Sequence, residues 1–202
     1  MVDKKIKQQG FTVIEIMIAI SIFSMALMIV MAVVIGMGKQ YQKATYTTQL
    51  NAASRTFHQT IATDINYGGI DPKVLTTTNG QYKYICLSNN IVYAWPVTVG
   101  AVIANGLYRA SFAGFCNGND SAASTTVASG SNVLPANGFV GSIEIDPKIG
   151  GTYSVKTNFR TGTADMFSDS TNPSSSSCLP TLRGGDFCAV VEYNNSVRKR
   201  IE

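Results

Sequence analysis

Lys7-Gln8-Gln9-Gly10-Phe11-Thr12-Val13-Ile14-Glu15 is the stretch on which the reading of this chain turns. A short basic segment ends in glycine, and a phenylalanine opens a long apolar run. A carboxylate stands four residues into that run. From Phe11 to Met37, 27 residues hold only Thr12, Glu15, Ser21 and Ser24 as polar members. As a helix this run spans about 40 Å, longer than the roughly 30 Å hydrocarbon core of a bilayer. It is too long for the apolar region of a secretory signal, and no small-x-small cleavage site comes after it. Lys4, Lys5 and Lys7 ahead of it would hold that end in the cytoplasm and send the rest of the chain across. A plain anchor has no use for Glu15. A carboxylate inside a span costs a few kcal/mol unless it is paired or near the interface, so it points to a function.

The remainder differs in character. The chain has 202 residues, 45% hydrophobic and 14% charged, and its apolar residues crowd into the first forty positions. Beyond them the chain is rich in Gly, Ser, Thr and Asn, and is long enough for one modest core. The formal charge is +4, and without residues 1–10 it is 13 basic against 11 acidic, or +2. Net charge therefore gives no nucleic-acid footprint, and Arg198-Lys199-Arg200 is the one dense basic run outside the N-terminus. Four cysteines, Cys86, Cys116, Cys178 and Cys188, fit two disulfides in an oxidising compartment. None has the Cys-x-x-Cys spacing of zinc or redox sites. They allow three connectivities.

Past Lys39 the helical pattern continues. Leu50, Ala53, Phe57, Ile61 and Ile65 recur near helical spacing with polar residues between them. No proline interrupts positions 11–67, and Gly68-Gly69 supplies a stop. This predicts one helix over 11–68 of about 85 Å. Residues 11–37 would be its transmembrane part and 38–68 its amphipathic part, with Gly36 and Gly38 as weak points. His58, the only histidine, lies on the amphipathic part without partners at catalytic or metal spacing, and reads as structural.

After Asp71-Pro72 short strands are expected, which makes the chain α+β, with a β head over 72–202. Tyr82–Leu87 and Ile91–Trp95 flank Ser88-Asn89-Asn90, and Val97–Ile103 and Leu107–Phe112 flank Ala104-Asn105-Gly106. Gly138–Ile145, Thr152–Phe159 and Phe187–Tyr193 are the later candidates. A last piece, Val197–Ile201, would return through an Asn194-Asn195 turn. Asn117–Asn132 and Ser168–Ser177 read as polar loops, each beside a cysteine.

Gly10-Phe11-Thr12-Val13-Ile14-Glu15 resembles the class III leader of type IV pilins and type II secretion pseudopilins. The resemblance implies a leader over 1–10, cut by prepilin peptidase between Gly10 and Phe11, and N-methylation of Phe11. It implies that Glu15 neutralises the new amine of a neighbouring subunit. That pairing would set register in a helical filament of pilins built from an inner-membrane assembly platform. The location implied is the cytoplasmic membrane before assembly, with the head extracytoplasmic, and then a surface or periplasmic filament. Cys86–Cys116 and Cys178–Cys188 is the preferred pairing, the second closing a C-terminal loop as in many pilins. Leu107-Tyr108-Arg109 and Val197-Arg198-Lys199-Arg200 resemble sheet segments of minor pilins. A surface ligand or DNA on the head loops is the alternative role.

No enzyme motif is visible: no phosphate-binding glycine loop, no Gly-x-Ser-x-Gly and no His/Asp constellation. Glu144 and Asp146 share a strand face but lack a companion nucleophile or base, and read as a solvated face. Asn117, Asn119 and Asp120 are oxygen-rich without the full spacing of a calcium loop, so no cofactor is expected, calcium being the one candidate. Tyr82, Tyr84, Tyr93, Trp95 and Tyr108 read as core or cross-strand aromatics rather than as a stacking platform.

Overall fold

The computed structural model describes residues 11–68, 71–87, 91–97, 105–111, 121–170, 173–180 and 187–200. The chain divides into two compact units, the first ending at Tyr41 and the second beginning at Gln42. Helix α1, Val13–Tyr67, contributes to both.

In the first unit the apolar residues of α1 from Val13 to Met37 are exposed, with nothing packed on them. The most apolar window of the helix has a mean hydropathy of 2.8, enough by length and composition to cross a membrane. Its two serines are satisfied inside the helix. Ser21 Oγ donates to the Met17 carbonyl at 2.9 Å and Ser24 Oγ to that of Ile20 at 2.7 Å. That is how a hydroxyl is carried into a medium without water.

In the second unit the helical stripe does what its spacing implies. Leu50, Phe57, Ile61 and Ile65 are fully or almost fully buried, and Ala53 packs at their margin. They lie against two antiparallel sheets. One has five strands in the order β1 (Lys73–Thr76), β2 (Tyr82–Cys86), β3 (Ile91–Pro96), β4 (Tyr108–Ser111) and β5 (Ser131–Asn132). The other has three, β6 (Gly138–Lys148), β7 (Thr152–Thr161) and β8 (Ala189–Arg198). Phe57 joins them: its ring stands edge-on to Tyr93 of β3 and to Phe159 of β7, each at 5.5 Å. Edge-to-face pairs at this spacing add stability beyond their buried area. The architecture is α+β, a long N-terminal helix on antiparallel sheet, and the rings of Tyr84, Tyr93 and Trp95 are core.

The helix stops where the next backbone arrives. A Cβ at Gly68 would lie 2.2 Å from the Leu87 carbonyl oxygen, so only glycine fits against the end of β2.

Two expectations are corrected. Residues 117–132 are not all loop: Ser121–Ser129 forms a second helix, α2. Alternation explains it. Ile85, Tyr93 and Trp95 point toward α1, so Tyr84, Cys86, Val92 and Ala94 line the other face of the five-stranded sheet. That apolar face needs cover, and Ala123 and Val127 of α2 supply it. Small side chains let α2 sit close.

The Asn194-Asn195 pair is not a turn. β8 runs unbroken, with Asn194 opposite Lys156 and Asn195 opposite Val155. Asn194 is held there by a hydrogen bond from Ser154 Oγ at 3.1 Å. A ten-residue β7 offers a full ladder, and ten residues of β8 take it. The described residues of the Ser168–Ser177 stretch have no helix or strand, and the stretch is anchored. Arg160 of β7 donates Nη1 to the carbonyls of Pro173 and Ser176, and burial lowers its pKa from the ordinary arginine value.

Two short strands, β1 and β5, extend the five-stranded sheet beyond what the pattern shows. The Ser88-Asn89-Asn90 turn and nearly all of the Val97–Ile103 segment lie outside the described residues.

Candidate assembly site

Thr12 is the last non-helical residue before α1, and Val13 is its first. A helix leaves its first four N–H groups without internal partners. Here Thr12 Oγ1 accepts from the Glu15 backbone N–H at 3.3 Å. In return, Glu15 Oε2 accepts from the Thr12 N–H at 2.8 Å and from the Thr12 hydroxyl at 2.9 Å. This is a reciprocal capping box. The carboxylate also sits at the positive end of the helix dipole.

Glu15 is therefore not a lone acid stranded in an apolar run. Its own chain holds it by one oxygen, while Oε1 carries no hydrogen bond among the described residues. Phe11 precedes the box, 83% exposed. Gly10 lies outside the described residues. Thr12 is the capping residue that the sequence reading passed over. The signal was present as Thr-x-x-Glu at the head of an apolar run.

The other singled-out residues lie in the head. Cys178 and Cys188 are bonded, with Cα atoms 5.7 Å apart. They stand beside Phe139 and Phe167 in a small cluster of their own. Cys86 is disulfide-bonded and faces the α2 side of its sheet, while Cys116, Asn117, Asn119 and Asp120 lie outside the described residues. Glu144 is exposed on the outer face of β6, and Asp146 meets Lys156 at 3.7 Å. Among the described residues no group of three His, Cys, Asp or Glu side chains converges as a metal site.

Buried polar groups tie α1 to both sheets. Asp64, 9% exposed, receives a bidentate pair from Arg109 of β4, Nε at 3.0 Å and Nη2 at 3.1 Å. It also accepts from the Tyr93 hydroxyl at 2.6 Å. The hydrogen bond to Asp64 raises the Arg109 pKa, and burial followed by Asp64 raises that of Tyr93. On the other sheet His58, 2% exposed, pairs Nε2 with Thr157 Oγ1 at 2.8 Å, its ring 4.5 Å from that of Tyr193. Among the described residues its Nδ1 has no partner, nor has Ser54 Oγ one turn earlier. Burial pushes the imidazole down to about 4, so it is neutral in the fold. An unpartnered lone pair at Nδ1 costs less than an unpartnered N–H, which places the proton on Nε2, donating to Thr157.

Residues 5–31 match the family model for the prokaryotic N-terminal methylation motif. No curated protein and no solved structure matches the chain. The motif, on a capped apolar helix with an acid at its N-terminus, supports membership of the type IV pilin and pseudopilin family. The matched motif is that of a class III prepilin leader and fits a precursor processed by prepilin peptidase. The leader and the apolar helix fit membrane insertion before assembly with other pilins.

Proposed function

We propose that the chain is a minor pilin or pseudopilin, a low-copy structural subunit of a type IV pilus-like filament. The observation that carries this is the Thr12–Glu15 box on a helix whose apolar half is left unpacked. Cleavage between Gly10 and Phe11 creates a new amine, which is then N-methylated. A neighbouring subunit's amine meets Glu15 through Oε1 while Thr12 holds Oε2. Two groups that are each costly in an apolar medium then cover one another. The apolar halves pack together, and the disulfide-stapled head is displayed outside the membrane. The role requires no cofactor.

Mass spectrometry of the filament or envelope fraction tests this. The expected mature chain begins at N-methyl-Phe11. An intact leader, or cleavage after Met37, overturns the reading. Abundance in sheared filaments separates minor from major subunit, and an extracellular from a periplasmic filament separates pilus from pseudopilus.

A second reading, a binding subunit with specificity in the head, is favoured by one observation. A cation-lined pocket lies at the end of α1, bounded by Asn66, Tyr67 and Arg198-Lys199-Arg200.

A further inference from the structure

A strand at the border of a sheet leaves every second backbone N–H and C=O without a ladder partner. β8 is such a border, in the order β6-β7-β8. One bond tells which of its residues face outward. Just past β8, the Lys199 N–H donates to the Gly151 carbonyl at 2.8 Å. In an antiparallel ladder, bonded and unbonded pairs alternate. The register is constant from Arg198 opposite Thr152 to Ala189 opposite Thr161. The odd-numbered residues of β8 therefore bond to β7. Val190, Glu192, Asn194, Ser196 and Arg198 turn their backbone N–H and C=O groups to the free edge. Among the described residues nothing takes those groups.

The other borders are protected. β6 has a bulge between Val140 and Ser142, and its Pro147 offers no donor. β1 is four residues long and opens on Lys73, and β5 is two residues long. Short, charged or bulged borders are how sheets avoid stray pairing. β8 uses none of these devices: it runs ten residues without proline, lysine or bulge. Val191 and Val197 face the core, so the even-numbered side chains stand on the outer face. Glu192 is there, accepting from Asn158 Nδ2 at 2.7 Å, and so is Arg198.

We propose that β8 is a docking edge, which receives an extended segment of another protein as an antiparallel strand added to its sheet. Backbone bonds supply the affinity, and side chains opposite Glu192 and Arg198 supply the selection. Those two are six positions apart on one face, so a matching segment carries an acid six positions before a base. β8 has that order itself. Paired about Asn195, Glu192 of one strand lies opposite Arg198 of the other, twice. Intact copies in one membrane cannot use this match. The two-fold axis of such a pair is normal to the sheet, and it turns the helix lying on that sheet end for end. Chains inserted side by side run the same way. The occupant is therefore a different protein. That exclusion rests on the filament reading, whereas the open edge does not.

The test is anisotropy of a labelled peptide of the β8 sequence, residues 189–198, with the full chain in lipid nanodiscs. The peptide has no anchor and is free to run antiparallel. Binding above that to empty nanodiscs is expected. In the matched register the peptide's Glu192, Asn194 and Ser196 aim their N–H groups at the chain. N-methylating those three should abolish binding, and N-methylating Tyr193 and Asn195 should leave it intact. The R198E peptide should bind about 2- to 30-fold more weakly, an attractive pair becoming repulsive, and E192R in the chain should restore it. The methylated peptides leave the chain untouched, so misfolding cannot mimic the result. No binding overturns the proposal, as does equal loss with both methylation patterns. Asn195→Cys chains that cross-link to one another in vesicles would assign the edge to a second copy and overturn the partner named here. A chain processed to N-methyl-Phe11 that binds no peptide removes this inference alone. One that binds the peptide but keeps its leader removes the filament reading and leaves the docking edge.

Discussion

Thr12 gives Glu15 both its backbone N–H and its hydroxyl, each to the same carboxylate oxygen, Oε2. One bonded pair thus starts the helix and orients the acid. Glu15→Ala should leave processing and membrane insertion intact and lower entry into filaments. Thr12→Val keeps the charge but loses the cap, at about 1 kcal/mol, and should lower entry less. Quantifying N-methyl-Phe11 chains in membrane and sheared-filament fractions checks both. Equal incorporation of Glu15→Ala and parent would remove the charge-pairing argument.

Asp64 stands near the C-terminal end of α1, where a negative charge opposes the helix dipole, and Arg109 is its counter-ion. Arg109→Ala leaves that carboxylate buried and uncompensated. The expected cost is about 3 kcal/mol, the lower end of the range for a broken buried pair, because Arg109 is 32% exposed. Urea unfolding of the full chain in detergent measures it. An unchanged midpoint would show that Asp64 needs no partner.

His58 makes the head acid-sensitive. Its pKa in the fold is about 4, below the ordinary value of 6.5. Protons therefore bind the unfolded chain more readily as pH falls. Its contribution is fully present above pH 6.5, declines between 6.5 and about 4, and is flat below, with a total of about 3 kcal/mol. His58→Gln should flatten that limb of the stability curve. A parent chain equally stable at pH 7 and pH 4.5 would contradict the buried, neutral imidazole.

Cys178 and Cys188 are ten residues apart. Replacing both by serine frees a loop whose closure is worth about 2–3 kcal/mol on chain-entropy grounds. Phe139 and Phe167 beside it should loosen while Phe57, Tyr93 and Phe159 hold. Hydrogen exchange resolves the two regions. Uniform loosening of the whole head would mean that the two clusters unfold as one.

Much of the fold and of the candidate assembly site was legible locally. Glycine, phenylalanine and the acid at a fixed offset are chain-local chemistry, as is the apolar run that they open. The Leu50, Phe57, Ile61 and Ile65 stripe carries its own period, so the buried face of α1 could be read without knowing what covers it. Thr12 was equally legible through the Thr-x-x-Glu pattern, since capping needs only two residues three apart at a helix start.

What the chain alone determined is its N-terminal methylation motif, its long helix, and the alternation that makes strands. The tertiary structure decided which faces need cover and which distant groups meet. α2 exists because the second apolar face of the five-stranded sheet must be sealed, a demand that Ser121–Ser129 does not announce. β8 passes straight through Asn194-Asn195 because a full-length β7 ladder outweighs a local turn preference. Tyr67 and Arg198-Lys199-Arg200 share a pocket only because the helix end and the last strand end at the same place. Local propensities act over a few residues, whereas burial and pairing are settled between residues a hundred positions apart. Only the folded chain brings those together.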